Sequence, residues 1–170
     1  VYHLKAAGRA NWPKMDTVLR RVRSARGDGH DVTATVYPYR AGSTGLDACL
    51  PPWAHEGGPD SLRARLQDPG ARERMAADMR KVPPPWENYC KLSGSPENVL
   101  LLEFARDSLA YLQGRTLAEV AEEWGVSPET ATMDLVLRDR SLVQTAYFLM
   151  SEGNLRRKIR QPWEIGRAHV

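Results

Sequence analysis

Apolar residues in the first quarter of the chain alternate between two kinds of spacing. Those from Met15 to Val22 recur at intervals of three and four residues, which predicts an amphipathic helix that ends near Gly27. Residues 1–4 are short and apolar, and residues 31–39 (DVTATVYPY) are rich in β-branched and aromatic side chains, so both predict strands. The order strand, helix, strand predicts two parallel strands joined by a crossover helix, and therefore an α/β fold.

The middle of the chain has a different residue composition. Residues 40–96 are rich in Gly, Pro and Trp and predict a long loop or insertion, with short helices near 61–66 and 72–80. The run at 99–104 (VLLLEF) is almost continuously apolar. It favours a strand buried on both faces, although a buried helical segment fits the same pattern.

Helix start signals dominate the last third. Thr116 and Glu119 form a capping-box pattern, Ser127-Pro128 should begin a second helix that runs to about Arg138, and Ser151 should cap a last one. Residues 116–150 therefore predict a helical insertion that ends in the apolar, aromatic segment 145–150 (TAYFLM).

Composition narrows the class of protein. With 170 residues, 42% of them hydrophobic, the chain can bury the core of an ordinary domain. No apolar run approaches the roughly 20 residues that cross a bilayer, so we expect no membrane partner and a cytoplasmic location. Cys49 and Cys90 stand alone, without a paired spacing, and we expect both to be reduced thiols.

A modest positive charge raises the question of nucleic acid. The net charge is +3 and the pI about 9.0, and the densest basic cluster, residues 156–160, is typical of a solvated helix face. Residues 116–137 also imitate a DNA-binding helix-turn-helix. However, the second helix would present acidic and hydroxyl groups before Arg138, whereas affinity for DNA comes from neutralising phosphates. We expect no nucleic-acid partner and keep helix-turn-helix DNA binding as the alternative function; a non-enzymatic interaction module is a third possibility.

His3 is the first candidate for chemistry. It lies near the end of a predicted parallel strand, where barrels of alternating strands and helices build their active sites. A histidine between apolar residues is nevertheless more often a buried, hydrogen-bonded side chain than a metal ligand. Strand position alone leaves both interpretations open.

Ordered sequence blocks add a family resemblance. They are HLKAAGRANW (3–12), YPYRAGST (37–44), LPPWA (50–54), TLAEVA (116–121), MDLV (133–136) and YFLMSE (147–152). Together they resemble the D-aminoacylase (N-acyl-D-amino-acid deacylase) branch of the amidohydrolases. The resemblance implies part of a (β/α)8 TIM-type barrel with a helical insertion. It also implies hydrolysis of the amide bond of N-acyl-D-amino acids, one or two Zn²⁺ ions in the full-length enzyme, and His3 as a zinc ligand.

Candidate substrate-binding residues fall in the same blocks. Lys5 lies on the face of His3 and could hold a substrate carboxylate, although an exposed loop lysine is an equal reading. Tyr37 and Tyr39 alternate and should point the same way. The remaining candidates have two interpretations each. Ser43 and Thr44 either contact substrate or stabilise a turn. Tyr147 and Met150 either line the apolar substrate pocket, as the resemblance implies, or belong to the core.

The resemblance also implies residues that this sequence does not carry. The family's other metal ligands would precede Val1, and its catalytic Asp would follow the QPW block at 161–163. Residues 164–170 (EIGRAHV) look like a translated sequencing adapter, so we expect residues 1–163 to be a piece of the catalytic barrel and 164–170 a non-native tail. We therefore expect no catalytic residue within the chain and no activity from the chain alone.

Overall fold

The structure, a computed structural model, describes residues 1–140 and 143–166. Its helices are α1 (Met15–Gly27), α2 (Pro52–His55), α3 (Gly58–Gln67), α4 (Pro69–Arg80), α5 (Tyr89–Leu92), α6 (Leu117–Glu123), α7 (Pro128–Asp139) and α8 (Glu152–Ile159). Its strands are β1 (Ala34–Val36), β2 (Ala41–Gly45), β3 (Val99–Glu103), β4 (Gln144–Phe148) and β5 (Glu164–Gly166). The chain divides into two compact units, Val1–Ala41 with Leu149–Val170 (unit 1) and Gly42–Phe148 (unit 2).

Unit 1 is built around the predicted amphipathic helix. The buried face of α1 presents Met15, Leu19 and Val22 to Leu4, Ala6, Ala34 and Trp163. Each large apolar side chain buried in this way contributes about 1.5–3 kcal/mol. The helix ends at Gly27, as its sequence predicts.

The strands of unit 1 differ from the prediction. Residues 1–4 form no regular strand; they run beside β1, where the Leu4 amide donates to the Thr35 carbonyl (2.9 Å) and the Thr35 amide donates to the Val1 carbonyl (2.9 Å). β1 itself pairs in parallel with β5, with Thr35 opposite Ile165. The expected tail thus overlaps β5 at 164–166, while its remaining residues, 167–170, lie outside the described part of the chain.

Unit 2 contains a three-stranded sheet in the order β2, β4, β3. β3 pairs with β4 in antiparallel fashion, with Val99 opposite Tyr147. The prediction of a strand buried on both faces is wrong, because Val99 and Leu101 are buried while Leu100 and Leu102 are only half-buried. The AGST segment, predicted as a loop, is strand β2. The described strands thus form a mixed arrangement, and part of a (β/α)8 barrel stays an expectation.

Helix caps agree with the sequence. Thr116 and Glu119 form both hydrogen bonds of the capping box at α6, Ser127 accepts from the Thr130 amide at α7, and Ser151 accepts from the Asn154 amide at α8. The described helices include none long and apolar enough to cross a membrane.

The two cysteines correct another prediction. Cys49 and Cys90 form a disulfide, although their isolated positions predicted free thiols. The bond joins the short helical turn after β2 to α5 within unit 2. It encloses a segment with a sequence separation of 41 residues.

Two carboxylates fix loops of unit 2. Asp139, 1% exposed, accepts from the backbone amides of Arg106 (3.0 Å) and Ala105 (3.2 Å). Asp78 accepts from the Lys81 ammonium (2.6 Å) and the Trp53 indole (2.9 Å). The hydrogen bond from Lys81, followed by that from Trp53, lowers the pKa of the Asp78 carboxyl below its ordinary value.

Candidate functional site

Three side chains of unit 1, two of them predicted site residues, meet around one buried tyrosine. Tyr37 follows β1 and is 6% exposed, and burial raises the pKa of its phenol. The His3 ring meets the Tyr37 ring edge-on at 5.1 Å, and the Lys5 and Lys158 ammonium groups lie 5.4 Å and 5.5 Å from the centre of that ring. We name these four residues the Tyr37 cluster. It combines a neutral phenol, an imidazole and two cations.

His3 has an uncommon backbone conformation. Its φ of +50° lies in the left-handed region, which few residues other than glycine adopt. The His3 amide donates to Thr35 Oγ1 (2.9 Å), and the imidazole stacks against the Tyr2 ring at 3.8 Å. Thr35 therefore anchors the main chain at His3. These contacts turn the half-buried imidazole towards Tyr37.

Lys158 is the member of the cluster that sequence reasoning missed. It is 2% exposed, and its ammonium donates to the Leu4 carbonyl (2.9 Å). The prediction that the basic cluster at 156–160 is a solvated face is therefore wrong for Lys158. The signal was its position on α8, three residues after Leu155 and four after Asn154, because these spacings share one helical face and both residues are buried.

The other candidates of unit 1 surround the cluster loosely. Tyr39 is 54% exposed, and its ring lies 6.4 Å from the Tyr37 ring at an interplanar angle of 30°. Met150 is 7% exposed and shares with Lys5 and Lys158 a recess of about 10 Å³. That volume is close to the minimum for one water molecule, so the recess does not accommodate a substrate.

The candidates of unit 2 lie in and beside its sheet. Ser43 is exposed on β2 and Thr44 is half-buried. Tyr147 is fully buried; its hydroxyl donates to the Gly45 carbonyl (2.9 Å) and lies 3.6 Å from Cys49 Sγ. Burial raises the pKa of the Tyr147 phenol. Within unit 2, Tyr147 is a core residue.

The donor set does not suit a zinc ion. A protein zinc site takes three or four ligands from His, Cys, Asp and Glu. Among residues 1–140 and 143–163, whose side chains the structure describes, no group of three such side chains converges. Cys49 and Cys90 are joined to each other, and His169 lies outside the described residues. The described chain therefore offers the Tyr37 cluster a single imidazole, that of His3.

The helix-turn-helix segment is partly buried. α6 and α7 are the two helices expected, but Thr132 is 1% exposed. The side chains of Glu129 and Asp134 pair with Arg80 and Arg72, at 3.5 Å and 2.6 Å respectively. The polar face of the proposed recognition helix thus contacts other residues of unit 2.

Three solved structures resemble the chain. The first is N-acyl-D-glutamate deacylase from Bordetella bronchiseptica, in complex with zinc and a phosphonate mimic of the tetrahedral intermediate (TM-score 0.58, 20% identity). The second is a D-aminoacylase studied for its binuclear metal centre (TM-score 0.58, 20% identity). The third is the D-aminoacylase described as defining a novel subset of amidohydrolases (TM-score 0.56, 21% identity). The chain has the fold of part of a D-aminoacylase.

The likeness covers nearly all of this chain but only part of each matched structure. The match covers 97–98% of this chain and 24–25% of the D-aminoacylase and deacylase chains. The chain thus spans about a quarter of their length. No protein-family model and no curated protein matches the sequence. The D-aminoacylase fold, mixed in helix and sheet, therefore agrees with the resemblance seen in the sequence blocks.

Proposed function

We propose that this chain contributes to a hydrolase that cleaves the amide bond of an N-acylated amino acid. The observation that carries the proposal is the Tyr37 cluster: His3 and Lys5 come from one sequence block and Tyr37 from another, yet their side chains adjoin. The D-aminoacylase fold supports the reaction class, and the deacylase solved with a phosphonate mimic supports a small acylated substrate. The proposal that the amino acid has the D configuration rests on the sequence resemblance.

The cluster suits the carboxylate end of such a substrate. Lys5 is exposed and supplies an ammonium group, and Tyr37 keeps its proton because its pKa is raised. A carboxylate held by an ammonium and a phenol gains charge-assisted hydrogen bonds, which are stronger than neutral ones. The Lys158 ammonium lies 5.5 Å from the centre of the Tyr37 ring. Tyr39 is proposed as a further contact to substrate. For Ser43 and Thr44 the contact to substrate stays a prediction of the sequence, as does the pocket wall at Tyr147 and Met150.

His3 is proposed as one ligand of the zinc that the resembled enzymes use. One imidazole does not hold the ion, so we derive no catalytic step through zinc and assign no general base to this chain. The role of His3 here is positional: the main-chain bond to Thr35 and the two flanking tyrosine rings fix where the imidazole points. The chain alone is therefore expected to be inactive.

Substrate binding tests the proposal directly. N-acetyl-D-leucine is titrated into the 170-residue chain while the tyrosine and histidine NMR signals are followed. We expect saturable binding with a Kd in the millimolar range that weakens about tenfold in Lys5→Met and in Tyr37→Phe, because each loses one charge-assisted hydrogen bond. Lys14→Met, which removes an exposed lysine near Asn11, is the matched control and should bind normally.

Two results would count against these assignments. Equal binding by Lys5→Met and the unchanged chain would refute the carboxylate site. Turnover of N-acetyl-D-leucine by the purified chain, together with stoichiometric and tightly held zinc, would refute the expectation that the chain is inactive.

A further inference from the structure

A second cavity lies wholly within unit 2. Its volume is about 410 Å³, within the range of roughly 300–1,000 Å³ typical of small-molecule sites. Leu62 and Leu66 from α3, and Val136 and Leu137 from α7, supply aliphatic lining. Leu66 and Val136 are 1% and 6% exposed, so this part of the lining is continuous with the core. The cavity shares no residue with the Tyr37 cluster.

Two arginines also line the cavity. Arg63 has a partly exposed side chain whose partner Asp60 lies 3.9 Å away and is 98% exposed. An exposed pair of this kind contributes little, so the Arg63 guanidinium is available to another anion. Arg140 directly follows α7, where it adopts a left-handed conformation (φ +56°), and it is exposed.

One carboxylate, that of Asp47, also lies among the described lining residues. One Asp47 carboxylate oxygen lies 4.0 Å from His55 Nδ1, and the Asp47 carbonyl lies 3.2 Å from His55 Nε2. With Asp47 counted against Arg63 and Arg140, the lining carries one excess positive charge when His55 is neutral. This balance suits a ligand with a single negative charge.

We propose that this cavity binds an aliphatic monocarboxylate, with its tail against the leucines and Val136 and its carboxylate at Arg63 and Arg140. An alkyl tail gains from burial in proportion to its apolar area, and a guanidinium binds a carboxylate through two parallel hydrogen bonds. A multiply charged ligand is disfavoured, because Asp47 faces the same space. The site is independent of the amide hydrolysis proposed for the Tyr37 cluster.

Isothermal titration of the 170-residue chain with octanoate tests the site. We expect one saturable site that acetate does not occupy and that 1-octanol occupies at least tenfold more weakly. Arg63→Gln and Arg140→Asn should each weaken octanoate binding about tenfold; Asn is chosen at 140 because it tolerates the left-handed backbone. Arg21→Gln, an exposed arginine on α1, makes the same charge change outside the cavity and should bind as the unchanged chain does.

Several outcomes would overturn the proposal. Equal affinity for octanoate and 1-octanol would show that the arginines do not recognise charge. Tighter binding of octyl phosphate than of octanoate would refute the monocarboxylate. Non-saturable binding, or normal octanoate affinity in both folded arginine variants, would remove the site itself. Near-UV circular dichroism identifies folded variants, and if one arginine variant does not fold the other still decides the outcome.

Discussion

The left-handed backbone at His3 predicts an inverted order of stability between two substitutions. His3→Ala and His3→Gly both delete the imidazole and its ring contacts, so their difference isolates the effect of one Cβ atom. A non-glycine residue in the left-handed region costs about 1–2 kcal/mol. Glycine instead costs about 0.4–1 kcal/mol through the entropy of the unfolded chain. At φ +50° the first effect exceeds the second, so His3→Gly should be the more stable variant by about 0.5–1 kcal/mol.

Urea unfolding followed by circular dichroism measures this difference in the free energy of unfolding. In thermal unfolding, a protein of 170 residues should show a gap of about 1–4 °C. Ala7 provides the control, because it lies in the same loop and is not among the described residues with positive φ. Ala7→Gly should therefore destabilise the chain by about 0.5–1 kcal/mol. If His3→Ala proved equal to or more stable than His3→Gly, the backbone argument would be refuted.

Three further predictions concern unit 2. Replacing Cys49 and Cys90 by Ser should lower the free energy of unfolding by about 4 kcal/mol, because the disulfide closes a separation of 41 residues; urea titration measures it. Asp78→Asn should cost about 1–2 kcal/mol at neutral pH. Because the folded pKa of Asp78 is lowered, its stabilisation is present above the unfolded pKa of about 3.9 and is lost as pH falls through the folded value, so urea midpoints of the two proteins should converge in acid. Asp139→Ala should cost about 2–4 kcal/mol, since two backbone amides lose their acceptor, and thermal unfolding checks it.

Each of these has its own control. The unchanged chain in reductant should match the cysteine double variant, and two titratable thiols in the untreated native chain would contradict the disulfide. A constant gap between Asp78→Asn and the unchanged chain from neutral to acid pH would contradict the pKa argument. Asp139→Asn keeps one carbonyl oxygen and should lose less stability than Asp139→Ala; an equal loss would show that the amides do not depend on that acceptor.

Helices were predictable because their signals are local. The spacing of apolar residues in α1 and the capping residues Thr116, Ser127 and Ser151 act within one or two turns, so the sequence carries them in full. Strand pairing was not predictable, since an apolar run such as 99–104 has the same pattern whichever neighbouring strand it pairs with. The antiparallel partner of β3 is more than 40 residues away along the chain.

In the candidate site, too, local sequence signals were predictive and distant contacts were not. The grouping of His3, Lys5 and Tyr37 could be anticipated from two sequence blocks, whereas their chemical roles stay predictions. Lys158 and the disulfide were missed because both depend on distant contacts: Lys158 with Leu4, and Cys49 with Cys90. The positive charge of residues 156–160 predicted a solvated side chain at Lys158, and the isolated positions of the cysteines predicted free thiols. Tertiary packing determined both outcomes instead.

The disulfide also turns part of unit 2 into a covalent ring. The segment between Cys49 and Cys90 holds α2, α3 and α4, with an exposed turn at Gly57. A protease that cut this turn would open the ring without releasing either piece, because the disulfide would hold the two pieces together until a reductant was added. The helices α3 and α7, which line the cavity of unit 2, would then remain joined through the disulfide to the piece that precedes the cut.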